Sequence, residues 1–174
     1  MAAQVVLSNK QSTQPRPYGF WTVTLSPRNR TANSVVIDCN ISCSLQYSDS
    51  RTGFRVTCGI YLGGQWHEAE INPSGNNWSG TSPRSVNMTI TVSGLSVTQT
   101  TISGIYVHAA AADGEGPGLS DTACSNLVID MYGGVGHQNV NGTWKTVLPW
   151  VKVSGTWRQA IPWVNVGGTW KIGI

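Results

Sequence analysis

The chain has 174 residues, of which 40% are hydrophobic and only 11% charged, and its formal net charge is +3. That length sustains one core of ordinary size plus an extension without metals or disulfides. The small charge and the absence of a Lys/Arg cluster argue against a nucleic-acid partner, and no apolar run approaches the roughly 20 residues of a membrane helix, so no membrane insertion is expected. An average soluble protein is roughly 25% charged. Here Ser, Thr, Asn and Gly fill the gap, which suits strands with uncharged polar outer faces. Charge is also uneven: residues 131–174 carry Lys145, Lys152, Arg158 and Lys171 with no acid, while residues 1–130 are net −1. Solvated cations on a strand-rich tail explain this more simply than a docking patch.

The opening Met-Ala-Ala-Gln-Val-Val has no basic region followed by an apolar stretch, so no signal peptide is expected. Folding in a cytoplasm is expected instead, with host lysis as one route of release. Residues 1–17 combine a strand-like stub, Gln4–Leu7, with a polar segment in which Pro15 and Pro17 stop regular structure. They read as an N-terminal arm or linker.

From Tyr18 the chain reads as strand after strand. Phe20–Leu25 is the first. Ser34–Gln46 alternates cleanly, with Val35, Ile37, Cys39, Ile41, Cys43 and Leu45 on one face. Phe54–Leu62 runs into Gly63-Gly64, a two-residue hairpin signal, and Gln65–Ile71 returns. Val86–Val92, Thr101–Ala109 and Asn126–Met131 follow. No segment carries a helical period. About seven short strands separated by turn signals predict an all-β domain over 18–132, an immunoglobulin-like β-sandwich.

Cys39, Cys43, Cys58 and Cys124 are expected to be reduced core residues. Cys39 and Cys43 sit four apart on one strand, about 13 Å at about 3.3 Å per residue. A disulfide tolerates at most about 7 Å between Cα atoms, so these two do not pair. No cysteine or histidine spacing matches a zinc site.

Residues 133–174 differ from the rest. Val140-Asn141-Gly142-Thr143-Trp144-Lys145, Val153-Ser154-Gly155-Thr156-Trp157-Arg158 and Val166-Gly167-Gly168-Thr169-Trp170-Lys171 repeat with a period of 13, and Pro149-Trp150-Val151 and Pro162-Trp163-Val164 keep the same interval. Asn-Gly favours a type I′ turn, and Ser-Gly and Gly-Gly are tolerated there. Proline then blocks the ladder. Each unit is predicted to be one small hairpin, marginal in isolation. Five of the eight tryptophans lie here.

This Val-x-Val-x-Gly-Thr-Trp-Lys repeat, joined by Pro-Trp-Val, resembles the C-terminal repeats of minor tail and minor structural proteins of long-tailed bacteriophages. The preceding domain also resembles phage minor structural domains, in which an aromatic-rich first strand like Tyr18–Leu25 precedes a strand of the Asn33-Ser34-Val35-Val36-Ile37 type. The resemblance implies a virion structural protein at the tail tip, fibre or baseplate, made in the host cytoplasm and acting in assembly or host attachment. It implies homo-oligomers, a trimer by analogy with fibres and spikes, and contacts with other virion proteins. It supplies no catalytic residues. The alternatives are a carbohydrate-binding receptor module or adhesin that takes a host surface glycan, and a capsid decoration protein.

No enzyme, metal or cofactor chemistry is expected. His67-Glu68-Ala69-Glu70 lacks the second histidine of a zinc protease motif and reads as an exposed strand face. Gly114-Glu115-Gly116-Pro117-Gly118 opens no helix and reads as a loop. Asp113, Glu115 and Asp121 match no EF-hand spacing for calcium within that loop. Asp38, Asp49 and Asp130 suggest no glycosidase pair. Asn-x-Ser/Thr triplets such as Asn77-Trp78-Ser79 are expected by chance in this composition. Trp144, Trp150, Trp157, Trp163 and Trp170 are candidates for an oligomer interface or for ligand stacking, the interface being the stronger reading. Trp66 and Trp78 are the candidates for stacking on sugar at the surface.

Overall fold

A computed structural model describes residues 3–11, 19–45, 50–51, 55–79, 82–112, 118–132, 136–147, 149–160 and 162–172. The longer central strands form where the sequence alternates apolar and polar residues. In chain order they are β1 (Gln4–Gln11), β2 (Gly19–Arg28), β3 (Ser34–Leu45), β4 (Ser50–Arg51), β5 (Val56–Leu62), β6 (Gln65–Ile71), β7 (Trp78–Ser79), β8 (Arg84–Ser93), β9 (Thr101–Ile102), β10 (Tyr106–Ala111), β11 (Leu119–Ala123) and β12 (Leu127–Val128). The fold is all-β.

Two antiparallel four-stranded sheets form the first compact unit, Met1–Asp130, in the orders β1-β2-β3-β8 and β11-β10-β5-β6. The chain changes sheet between β3 and β5, between β6 and β8, and between β8 and β10. Two short pairs, β4–β7 and β9–β12, complete it. The central β3 shows why the layers hold. Val35, Ile37, Cys39, Ile41, Cys43 and Leu45 are at most 2% exposed. The partner strands continue the pattern: Cys39 lies between Leu25 and Met88, and Ile41 between Val23 and Val86. Val56, Cys58, Ile60 and Leu62 of β5 and Val107 of β10 join the same buried cluster, so both sheets share one core.

All four cysteines are free thiols. Burial pushes the Cys39 and Cys58 thiols up to about 12 and that of Cys124 up to about 11, and raises Cys43 as well. Smaller contributions come from other thiols: Cys124 acts on Cys39, and Cys58 on Cys43.

Of residues 1–17, read from the sequence as an arm or linker, the described residues 3–11 carry β1. β1 pairs antiparallel with β2 from Gln4↔Leu25 to Gln11↔Phe20. A register shift between Val5 and Leu7 lets the successive residues Val6 and Leu7 both bury, at 6% and 5% exposure. The Val6 carbonyl accepts from the Ser125 backbone N–H at 3.1 Å and from its hydroxyl at 3.2 Å. Apolar burial and ladder bonds thus hold this stretch, and the strand extends beyond the expected stub Gln4–Leu7 to Gln11. Pro15 and Pro17, like Tyr18, Asp49 and Phe54, lie outside the described residues. Thr101–Ala109 is two strands rather than one, parted at Gly104, whose φ of 69° no strand accommodates. Asn126–Met131 shortens to β12, and β11 was not foreseen at all.

Met131–Ile174 forms the second compact unit. It contains three hairpins: β13 (Gly136–Val140) with β14 (Thr143–Val147), β15 (Trp150–Val153) with β16 (Thr156–Gln159), and β17 (Trp163–Val166) with β18 (Thr169–Ile172). Their two-residue turns share one geometry. Asn141 and Gly142 have φ of 53° and 83°, Ser154 and Gly155 48° and 84°, and Gly167 and Gly168 61° and 83°. Positive φ at both central positions is the type I′ signature. In the outer two repeats an asparagine side chain reinforces the turn: Asn139 Oδ1 accepts from Gly142 N–H at 2.8 Å, and Asn165 Oδ1 from Gly168 N–H at 2.9 Å. The middle repeat has Lys152 at that place. Instead, Ala160 N–H donates to the Pro149 carbonyl at 2.9 Å and lengthens its ladder.

Candidate functional site

Two groups of aromatic side chains reach the surface. The first belongs to the hairpins. Pleating sends alternate cross-strand pairs to opposite faces. Trp150, Lys152 and Trp157 therefore share a face, and Val151, Arg158, Val153 and Thr156 share the other. Trp163, Asn165 and Trp170 repeat the arrangement. Trp150, Trp157, Trp163 and Trp170 are 55–64% exposed, and Val151, Val153 and Val166 are 46–53% exposed. Each of these hairpins thus shows apolar side chains on both faces. Trp144 pairs with Asn139 in the same register, but its side chain lies outside the described residues.

The second group lies on the outer face of the β11-β10-β5-β6 sheet. Across one row of this sheet Tyr106 pairs with Tyr61 and Tyr61 with Trp66; in the next row His108 pairs with Gly59 and Gly59 with Glu68. The Tyr61 ring meets Trp66 edge-on at 5.5 Å between centroids and Tyr106 at 6.3 Å. The His108 ring stacks on Trp66 at 4.2 Å, with 29° between planes. Gly59 makes that possible, since a Cβ there would fall 2.3 Å from His108 Nε2. His108 also stands between two carboxylates: Nδ1 is 3.2 Å from Asp121 Oδ1, and Nε2 is 3.7 Å from Glu68 Oε1. A carboxylate only accepts, so Nδ1–H is the donor to Asp121. Tyr61, Trp66, Tyr106 and Asp121 line a concavity of about 290 Å³.

A larger hollow of about 350 Å³ lies on the other sheet's outer face. It presents no aromatic ring, and its carboxylate is already occupied. Arg28 grips Asp38 through Nε at 2.6 Å and Nη2 at 3.0 Å, and Thr89 donates to it at 3.0 Å. These contacts, the Arg28 hydrogen bond first, hold the Asp38 carboxyl below its usual range.

Of the two predicted sugar-stacking tryptophans, Trp66 is at the surface, 38% exposed, and Trp78 is not. Trp78 is 1% exposed, paired with Arg51 between β7 and β4, and its Nε1–H donates to the Ser82 carbonyl at 3.3 Å. Burying its ring gains more than exposure would, so it is a core residue and no stacking platform. Asp121 sits on strand β11 against His108 rather than in a calcium loop, while Asp113 and Glu115 lie outside the described residues. Among the described residues no three His, Cys, Asp or Glu gather as a metal site. Nor is any helix long and apolar enough to cross a membrane. Sequence reasoning missed Tyr61, Tyr106 and His108, because their association depends on pairings between distant strands. No protein-family model, curated protein or solved structure matches the chain.

Proposed function

We propose that the chain is a structural, non-enzymatic component of a bacteriophage virion, a minor tail protein whose hairpin repeats bind other copies of the chain and neighbouring virion proteins. The observation that carries this reading is the exposure of Trp150, Trp157, Trp163 and Trp170 on hairpins that are apolar on both faces. Covering one such tryptophan removes on the order of 100 Å² of apolar surface, worth roughly 2–3 kcal/mol. Four of them together reach the range of about 4–15 kcal/mol that association costs in translational and rotational freedom. The segment has no acid and few cations, so little charge is desolvated at an interface. Likeness of the repeat to phage minor tail proteins supplies the virion assignment, and likeness to fibres the trimer.

Sedimentation of the full chain tests the assembly role. An oligomer is expected, and Trp157→Ser with Trp170→Ser should convert it to monomer while the sandwich's thermal transition persists. A wild-type chain that stays monomeric at tens of micromolar overturns self-association.

A further inference from the structure

The outer faces of the two sheets are unequal. The middle of the first sheet turns Thr22, Thr24, Asn40, Ser42, Asn87 and Thr89 outward, small polar groups that meet the needs of solubility, with the half-buried Phe20 as a single ring at one end and the Arg28–Asp38 pair at the other. The second concentrates three aromatic rings, a histidine and two carboxylates within two rows of one sheet. Trp66 and Tyr106 remain 38% and 41% exposed there. A face that needed only solubility would resemble the first.

The geometry points to a binding site for a neutral sugar ring, formed by Tyr61, Trp66 and Tyr106 with His108, Asp121 and Glu68 at its rim. This goes beyond the assembly reading and does not rest on it, since no hairpin tryptophan takes part. A pyranose presents C–H groups on its faces and hydroxyls around its edge. The rings supply apolar surface for the faces. The edge hydroxyls find carboxylate acceptors in Asp121 and Glu68, and groups that both donate and accept in the tyrosine hydroxyls. The concavity of about 290 Å³ is at the small end of ligand pockets, which start at about 300 Å³. That suits one or two sugar rings rather than a protein partner. Charge narrows the class further. Glu68, Glu70 and Asp121 lie on this sheet with no Lys or Arg on its described strands, so an acidic sugar would be repelled. His108 is held in place by the Trp66 stack, the Gly59 gap and the Asp121 bond, which orients the rim before a ligand arrives.

Titration of the full chain with methyl glucopyranoside, methyl galactopyranoside and N-acetylglucosamine tests the site, read by saturation-transfer NMR and by the indole N–H shift of Trp66. N-acetylneuraminic acid serves as the anionic arm and choline as the cationic one, since aromatic clusters also hold quaternary ammonium groups. At least one neutral sugar should saturate the Trp66 shift. Trp66→Ala should weaken that binding about tenfold or more, and Ser42→Ala, on the outer face of the other sheet, should leave it unchanged. If Trp66→Ala fails to fold, Tyr106→Ala carries the same expectation. The proposal is overturned if no neutral sugar shifts Trp66 at tens of millimolar, if choline alone or the acidic sugar binds equally well, or if both ring-removing variants bind as the wild type does.

Discussion

At the scale of single residues, the thiols set a pH dependence. The pKa of each cysteine is raised in the folded state from an ordinary value of 9.0, to about 12 for Cys39 and Cys58 and about 11 for Cys124. Above pH 9 the unfolded chain has released protons that the folded chain still holds, so stability declines as pH rises toward 12. Below pH 9 both states are protonated and the contribution is constant. The slope is about 1.4 kcal/mol per pH unit for each thiol that differs. Urea unfolding at pH 8 and pH 10 should therefore show a marked loss at the higher pH, and Cys58→Ala should reduce that difference. Equal midpoints at both pH values would contradict the burial of the thiols. The same residue scale shows what sequence could not separate. Trp66 and Trp78 both stand in short polar surroundings, yet one faces solvent and the other is fully packed. What separates them is which distant segment arrives on top, and local sequence carries no trace of that.

Among the elements, β3 and the hairpin turns were legible, β1 only in its first half, Gln4–Leu7, and β11 not at all. β3 alternates over twelve residues because it is central and half-buried, so each residue reports its face. Leu119-Ser-Asp-Thr-Ala holds few apolar residues because β11 is an edge strand with one buried leucine at its start. The bulge in β1 breaks the alternation that would have revealed its depth in the sheet. Turns were legible for a different reason, since positive φ restricts residue choice locally. Ser154 is the least suited of the turn residues, with a φ of 48° in a region that costs most side chains roughly 1–2 kcal/mol but is open to asparagine. Ser154→Asn should stabilise the middle hairpin by on the order of 0.5 kcal/mol, and Gly155→Val should destabilise it by about 1–2 kcal/mol. Amide hydrogen exchange of Val153 and Thr156 reads both effects. A slower exchange in the valine variant would refute the turn assignment.

For the whole molecule, the division into Met1–Asp130 and Met131–Ile174 is matched by how the first unit closes. Arg30 gathers carbonyls from three parts of that unit: Thr31 at 2.6 Å and Ser34 at 3.1 Å, Ser96 at 2.5 Å, and Asp130 at 3.4 Å. Burial lowers the Arg30 pKa, but the guanidinium fork remains charged and suits several acceptors at once. The clamp thus reaches the unit's own last residue. A chain ending at Asp130 should fold with a thermal midpoint within a few degrees of the full chain's, as seen by circular dichroism and calorimetry. A shift larger than about 5 °C, on the order of 1 kcal/mol for a domain of this size, would mean that the hairpins support the sandwich directly.

Each hairpin completes its described ladder within its own two strands, and this has a consequence for heredity. A coding segment that spans one 13-residue period can be duplicated or lost in frame while every remaining strand keeps its partner. Recombination between such periods changes the number of tryptophan-bearing units without remodelling any of them. Selection can then adjust the apolar surface that the hairpins present in whole steps, independently of the mutations that tune the sandwich.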